Sequence, residues 1–327
     1  MDAADRGCRI LATRTLPEPL MDLLHASCRC WINPEERTLG AEELARQAAA
    51  QRAQVLLVMA MDRIDARLIR ALPDSVGVIA TYSVGHDHID LDAARARGIA
   101  VLSTPDVLSD AVADLGMLLL LGAARRAYEA MQLLYSGAWR GWSPTQVIGR
   151  DVTGGRLGVL GMGRIGRAVA ARARHGFRME VHYHNRSRLP PESEDGAVFH
   201  ARLDGLLAVS DFLMLAAPAS PATRGILGAE AIEKLPHGAV VANVSRGDLV
   251  DDDALIAALR SGRVMAAGLD VFNGEPAIHP GYLELPNVFL QPHQGSSTIG
   301  TRLRMGRLLL DSIERLRAGE PVSNRLV

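Results

Sequence analysis

Residues 161–166 read Gly161-Met162-Gly163-Arg164-Ile165-Gly166, with an apolar run at 157–160 before them and a helical pattern after them. No other segment restricts the fold as tightly. A G-x-G-x-x-G that closes a strand and opens a helix turns sharply at its first glycine and brings backbone up to a pyrophosphate at its second. The third glycine packs helix on strand, and the free N–H groups of the helix N-terminus face the anion. The segment therefore predicts an α/β protein with a doubly wound parallel sheet that binds a dinucleotide.

The flanking pattern agrees. Apolar runs at 157–160, 179–183, 212–216, 239–242, 266–269 and 288–290 alternate with helical stretches, which predicts six parallel strands. An earlier series, with strands at 9–13, 55–60, 76–80 and 99–102 and helices at 41–51, 64–71 and 91–96, predicts a second α/β unit of Rossmann-like or flavodoxin-like type. Between the two lies a helical stretch from Ser109 to about residue 134, with Ser109 as its N-cap after the break Thr104-Pro105-Asp106. An amphipathic helix at about 301–318 has no strand after it and is expected to return to the first unit. The expected division is a discontinuous substrate domain, 1–104 plus 295–327, and a dinucleotide-binding domain, 105–294. A chain of 327 residues suits two such units.

Charge and composition narrow the ligand. Lys plus Arg total 36 against 37 Asp plus Glu, net −1, so no basic footprint points to nucleic acid or to a membrane surface, and the ligand is expected to be small. The single lysine, Lys234, sits in Ile232-Glu233-Lys234-Leu235, which excludes a Gly-Lys-Ser/Thr phosphate loop and argues against Schiff-base chemistry. Cys8, Cys28 and Cys30 are too few and too close together for a disulfide framework or a four-ligand zinc site, so reduced thiols and no metal are expected. Met1-Asp2-Ala3-Ala4-Asp5-Arg6 lacks the basic-then-apolar order of a leader. The longest apolar run, 115–124, is bounded by Asp114 and Arg125 and is too short to span a bilayer, so a cytoplasmic protein is expected.

Strand ends carry the candidate chemistry, because ligands of open α/β sheets collect outside the carboxyl ends of the strands. After the run 179–183 stands His184-Asn185-Arg186-Ser187-Arg188, without the Asp or Glu that takes a ribose 2′-hydroxyl in NAD sites. Arginine pairs instead with a 2′-phosphate, so NADP(H) is expected to be preferred, with NAD(H) as the alternative. Arg246 follows the run 239–242, Glu275 follows 266–269 and His293 follows 288–290. These three types suit reduction of a 2-keto acid. A planar guanidinium grips the acid and polarises the ketone, and an imidazolium delivers a proton. The neighbouring carboxylate favours the charged imidazole and fixes its tautomer, while the dinucleotide carries the hydride.

These residues, with Tyr82-Ser83-Val84-Gly85-His86-Asp87-His88-Ile89-Asp90, Thr104-Pro105-Asp106-Val107-Leu108, Ala113-Asp114-Leu115, Gly268-Leu269-Asp270-Val271-Phe272, Glu275-Pro276 and Pro292-His293, resemble the D-isomer-specific 2-hydroxyacid dehydrogenases over nearly the whole chain. The glyoxylate/hydroxypyruvate reductase branch is the most similar. The resemblance implies an NAD(P)-dependent reductase of a small 2-keto acid with Arg246, Glu275 and His293 as its catalytic set. It also implies that the Val84 and Gly85 amides receive the substrate carboxylate, with Met59 and Ser296 beside the substrate. Asp270 would hold the nicotinamide amide and Pro218 would border the adenosine. Ser109, Asn185, Arg186, Ser187, Ala217, Thr223, Val244, Ser245 and Gly295 are expected beside the dinucleotide. Met59-Ala60-Met61 stands where members acting on phosphorylated acids often carry arginine, which argues against a phosphorylated substrate and leaves a branched or aromatic 2-keto acid as the alternative. A homodimer built around the helix after Ser109 is implied. Related corepressors keep the same three residues, so a non-catalytic dinucleotide sensor is the alternative to an enzyme.

Overall fold

The computed structural model describes residues 7–35 and 37–327; Met1–Arg6, on which the absence of a leader was read, lie outside the described residues. Two compact units emerge, one of residues up to Leu108 with Ser296–Val327, the other Ser109–Gly295. The junctions fall at 108/109 and 295/296 rather than 104/105 and 294/295. The first is set where the helix Ser109–Ala124 begins to pack on the second sheet, and the second where Gly295 is tied by its amide to Asp270.

The first unit holds β1 (Cys8–Ala12), β2 (Cys28–Ile32), β3 (Val55–Val58), β4 (Val78–Thr81) and β5 (Ala100–Leu102), all parallel, in the order β2-β1-β3-β4-β5. β3 is buried along its whole length, as a strand covered on both faces must be. β2 was not expected. Its residues, Cys-Arg-Cys-Trp-Ile, are half-buried at the sheet edge and make no continuous apolar run. The order reverses between β1 and β3, so a crevice opens outside their carboxyl ends. The C-terminal helix, Ile299–Arg317, starts from the Thr298 side chain, which accepts from the Thr301 amide, and packs on the helix Glu18–Ser27 of this same unit.

In the second unit β6 (Arg156–Leu160), β7 (Glu180–His184), β8 (Val198–Phe199), β9 (Phe212–Leu215), β10 (Ala239–Asn243), β11 (Val264–Leu269) and β12 (Val288–Leu290) form a parallel sheet in the order β12-β11-β10-β9-β6-β7-β8. There are seven strands rather than six, because the edge strand β8 is only two residues long. The helical stretch after Ser109 is two helices, Ser109–Ala124 and Ala127–Tyr135, broken at Arg126, whose φ of 51° cannot continue a right-handed helix. Ser109 is the first helical residue rather than the cap. The order reverses between β6 and β9, which sets this unit's own switch point. The loops after β10, β11 and β12 are neighbours on the same rim. Among the described residues no helix is long and apolar enough to cross a membrane, and no His, Cys, Asp and Glu group could hold a metal.

Candidate active site

At the second unit's switch point the chain leaves β6 through Gly161, whose φ is 98° and where a methyl group would run into the backbone of Ala217, just past β9. Only glycine closes that turn. Gly163 caps the helix Arg164–Ala171, and the space where its Cβ would stand is open to 4 Å. Gly166 packs the helix against the turn. The buried Met162 donates its amide to Asn185 Oδ1 at 2.7 Å, and the Gly161 amide donates to the His184 carbonyl at 3.1 Å, so the loop after β7 is tied to the glycine turn. An open cradle at a helix N-terminus, free of side chains and flanked by that loop, fits the pyrophosphate of a dinucleotide. Ser245 donates its hydroxyl to the Ala217 carbonyl and Thr223 donates to the Pro218 carbonyl at 2.8 Å. Both hydroxyls, expected beside the dinucleotide, are spent on backbone.

The loop after β7 separates its two arginines. Arg186 and Ser187 are exposed. Arg188 is held by Glu194 through bonds of 2.8 and 2.9 Å, and Glu194 also accepts from the Tyr183 hydroxyl at 2.6 Å. The Arg188 bonds and the Tyr183 hydroxyl hold the Glu194 carboxyl down to about 2. Arg188, although exposed, therefore braces the loop through Glu194, while Arg186 is exposed without that tie.

The catalytic candidates come from three neighbouring strands. Arg246 follows β10 and donates to the Ser245 carbonyl at 2.8 Å. At Gly247 a methyl group would overlap the backbone of Phe272 and Asn273, so glycine lets the loop after β10 lie on the loop after β11. There Glu275 Oε1 accepts from the Phe272 amide at 2.8 Å, while Oε2 lies 2.7 Å from His293 Nδ1. Burial alone would raise the Glu275 carboxyl, but the His293 bond and the His293 and Arg246 charges outweigh it and hold the carboxyl below its ordinary value. An ionised carboxylate can only accept, so Nδ1 carries the proton it donates, and Nε2 is the nitrogen left for substrate.

His293 itself has a φ of 53°, uncommon for a residue with a side chain. Its loop is over-determined. The His293 amide donates to the Asp270 carbonyl at 2.9 Å, and the Asp270 carboxylate accepts from the Gln294 amide at 2.6 Å and the Gly295 amide at 2.9 Å. Burial pushes the Asp270 carboxyl up to about 6 against those bonds. Asp270 thus anchors the loop that carries His293, a role absent from the sequence reading because its partners lie 24 and 25 residues away and are backbone groups.

The remaining candidates belong to the first unit. Met59 opens the loop after β3, and its amide donates to Asp62 at 2.8 Å. Val84 and Gly85 lie in the loop after β4, next to β3 in the sheet, and their amides make no hydrogen bond among the described residues. The Ser83 hydroxyl closes that loop on the Gly85 carbonyl at 2.6 Å. Ser296 lies just before the C-terminal helix and accepts from the Thr298 amide at 2.8 Å.

The model of the D-isomer specific 2-hydroxyacid dehydrogenase NAD binding domain matches residues 117–295. The chain belongs to this family. It is 40% identical over 320 residues to the glycerate dehydrogenase of Hyphomicrobium methylovorum, covering 97% of this chain and 98% of that one. It is 39% identical over 317 residues to the glyoxylate reductase of Thermococcus kodakarensis, covering 95% and 94%. Among solved structures, the NADPH-dependent glyoxylate/hydroxypyruvate reductase of Sinorhizobium meliloti, in complex with NADP and malonate, superposes with a TM-score of 0.86 at 30% identity, covering 98% of this chain and 97% of that one. This D-2-hydroxyacid dehydrogenase of the glyoxylate reductase-like branch is therefore an oxidoreductase that uses a nicotinamide dinucleotide.

Proposed function

We propose that this dehydrogenase uses NADPH to reduce a small 2-keto acid of the glyoxylate/hydroxypyruvate type to the D-2-hydroxy acid. The observation that carries the proposal is the 2.7 Å contact between His293 Nδ1 and Glu275, on the strand-end rim that also bears Arg246. Arg246 grips the acid and polarises the ketone oxygen. His293 Nε2 gives that oxygen its proton as C2 accepts the hydride that bound dinucleotide supplies, and solvent returns a proton to Nε2. Glu275 keeps the ring charged and turned. The Val84 and Gly85 amides seat the substrate carboxylate, with Met59 and Ser296 beside it.

Gly161 to Gly166 cradle the pyrophosphate, and Arg186 with Ser187 takes the 2′-phosphate. Ser109, Asn185, Ala217, Pro218, Thr223, Val244, Ser245, Asp270 and Gly295 border the dinucleotide. NADPH is favoured because the 185–188 loop offers outward arginine and no carboxylate. The small-acid reading is supported by the substrates named for the relatives above. The apolar Met59 and Met61 favour a second reading, a larger branched or aromatic acid.

A homodimer completes the proposal. The helix Ala127–Tyr135 buries none of its residues, and Leu134, Tyr135 and Trp142 are 59%, 82% and 84% exposed, which suits a second copy of the chain.

Absorbance at 340 nm with a panel of 2-keto acids tests the activity. NADPH loss with the wild type, and its near-abolition in His293→Ala, are expected. No turnover with any acid and either nicotinamide overturns the proposal in favour of a dinucleotide sensor.

A further inference from the structure

The first unit's switch point, between β1 and β3, is where a sheet of order 2-1-3-4-5 collects ligand. Its crevice is organised by a buried carboxylate. Asp62, 3% exposed, accepts from the Thr13 hydroxyl, just past β1, and from the Met59 amide at 2.8 Å, just past β3. Its own amide donates to the Met59 carbonyl at 3.0 Å, so 59–62 is a closed turn. Arg14 approaches the other carboxylate oxygen at 3.4 Å and donates to the Thr13 carbonyl at 2.7 Å and the Thr38 hydroxyl at 2.8 Å. One acid thus joins the ends of two strands across the crevice and fixes the backbone that aims Met59.

Neighbouring strand order makes this matter for specificity. β4 lies beside β3, and the Tyr82 amide donates to the Val58 carbonyl at 2.8 Å, so the Val84–Gly85 loop and the Met59 turn are adjacent. On the proposed reading, in which the acid group sits on Val84 and Gly85 past β4, the next strand ends along the sheet carry Met59 and then Thr13. A methionine is flexible and yields to ligands of different size unless its backbone is held. A buried acid that accepts from the Thr13 hydroxyl and the Met59 amide holds it, since breaking either bond leaves a desolvated polar group.

We infer that Asp62, braced by Thr13 and Arg14, is a positioning residue that sets the size limit for the substrate side chain by fixing the Met59 turn. The inference rests on the proposed 2-keto acid reading. Asp62 is buried, and its carboxylate is engaged by Thr13, Met59 and Arg14.

The test compares kcat/KM for glyoxylate, whose side chain is a hydrogen, with that for 4-methyl-2-oxopentanoate, in wild type, Asp62→Asn and Thr13→Val. Asp62→Asn keeps an oxygen for the Thr13 hydroxyl and the Met59 amide but turns an NH2 on Arg14, and Thr13→Val removes one donor. In both variants the preference for the smaller acid is expected to fall about tenfold, about 1.4 kcal/mol, through KM rather than kcat. A preference ratio that stays within about twofold overturns the inference, whether or not both activities drop, because a purely structural role lowers both together. The Met59 signal in methyl-labelled NMR gives a readout independent of turnover. It is expected to broaden or shift in both variants, and an unchanged signal overturns the inference. Should the wild type reduce no 2-keto acid, the activity proposal alone fails, and the Met59 signal still decides the role of Asp62 in the turn.

Discussion

Replacing Glu275 by Gln tests the proton-delivering pair most sharply. The change keeps an oxygen for the Phe272 amide, which donates to Oε1 at 2.8 Å, and puts an amide NH2 in place of the charged acceptor that faces His293 Nδ1 at 2.7 Å. Hydrogen bonds to charged groups contribute about 1.5–3 kcal/mol. The His293 ring is 37% exposed and Glu275 16%, so solvent screening places this pair at the lower end, about 1.5 kcal/mol. That converts to roughly a tenfold loss in kcat/KM for reduction near neutral pH. The assay is kcat/KM for NADPH oxidation near neutral pH in both proteins. Equal activities would refute the reasoning, because a carboxylate that pairs with the proton-donating ring and turns it cannot be removed without cost.

Other parts of the site yield shorter tests. Gly161→Ala places a side chain at a φ of 98° against the Ala217 backbone, a left-handed penalty of about 1–2 kcal/mol before the collision. NADPH affinity, read by fluorescence titration, is expected to weaken at least tenfold, and an unchanged affinity counts against the glycine cradle. Arg186→Ala should lower the NADPH-over-NADH ratio of kcat/KM by roughly 10- to 100-fold, the scale of a bond to a charged group. Arg188→Ala should leave the ratio in place because Arg188 is held by Glu194; equal ratios in all three proteins refute the assignment. Asp270, pushed up to about 6 by burial, takes up a proton more readily folded than unfolded. Its cost to stability is full above about 6 and is relieved as pH falls toward the unfolded value near 4, on the order of 2–3 kcal/mol. Urea unfolding should therefore show wild type gaining stability relative to Asp270→Asn between pH 7.5 and 4.5, and a pH-independent difference contradicts this.

The fold was readable where burial writes it into composition. β3 and β10 are buried throughout and appear as continuous apolar runs, whereas β2 carries Arg29 at a sheet edge and β8 has two residues, so neither makes a run to count. The break at Arg126 has no local signal, since neither glycine nor proline marks it. Strand ends could be counted, so Arg246, Glu275 and His293 could be placed on one rim, and the 2.7 Å contact joins two of them. What could not be read were bonds made through backbone or across distant loops. Asp270 holding the Gln294 and Gly295 amides, Asn185 holding Met162 and Asp62 joining two strands all depend on tertiary placement. Ser245 and Thr223 show the converse, since hydroxyls expected beside the dinucleotide are taken by nearby carbonyls.

Stereochemical labelling bears most directly on hydride transfer beside the His293–Glu275 pair. Hydroxypyruvate incubated with the enzyme and NADPH carrying deuterium at both C4 positions of the nicotinamide should give D-glycerate with one deuterium at C2, by mass spectrometry and chiral chromatography. Product of L configuration, or product without deuterium, would contradict the account.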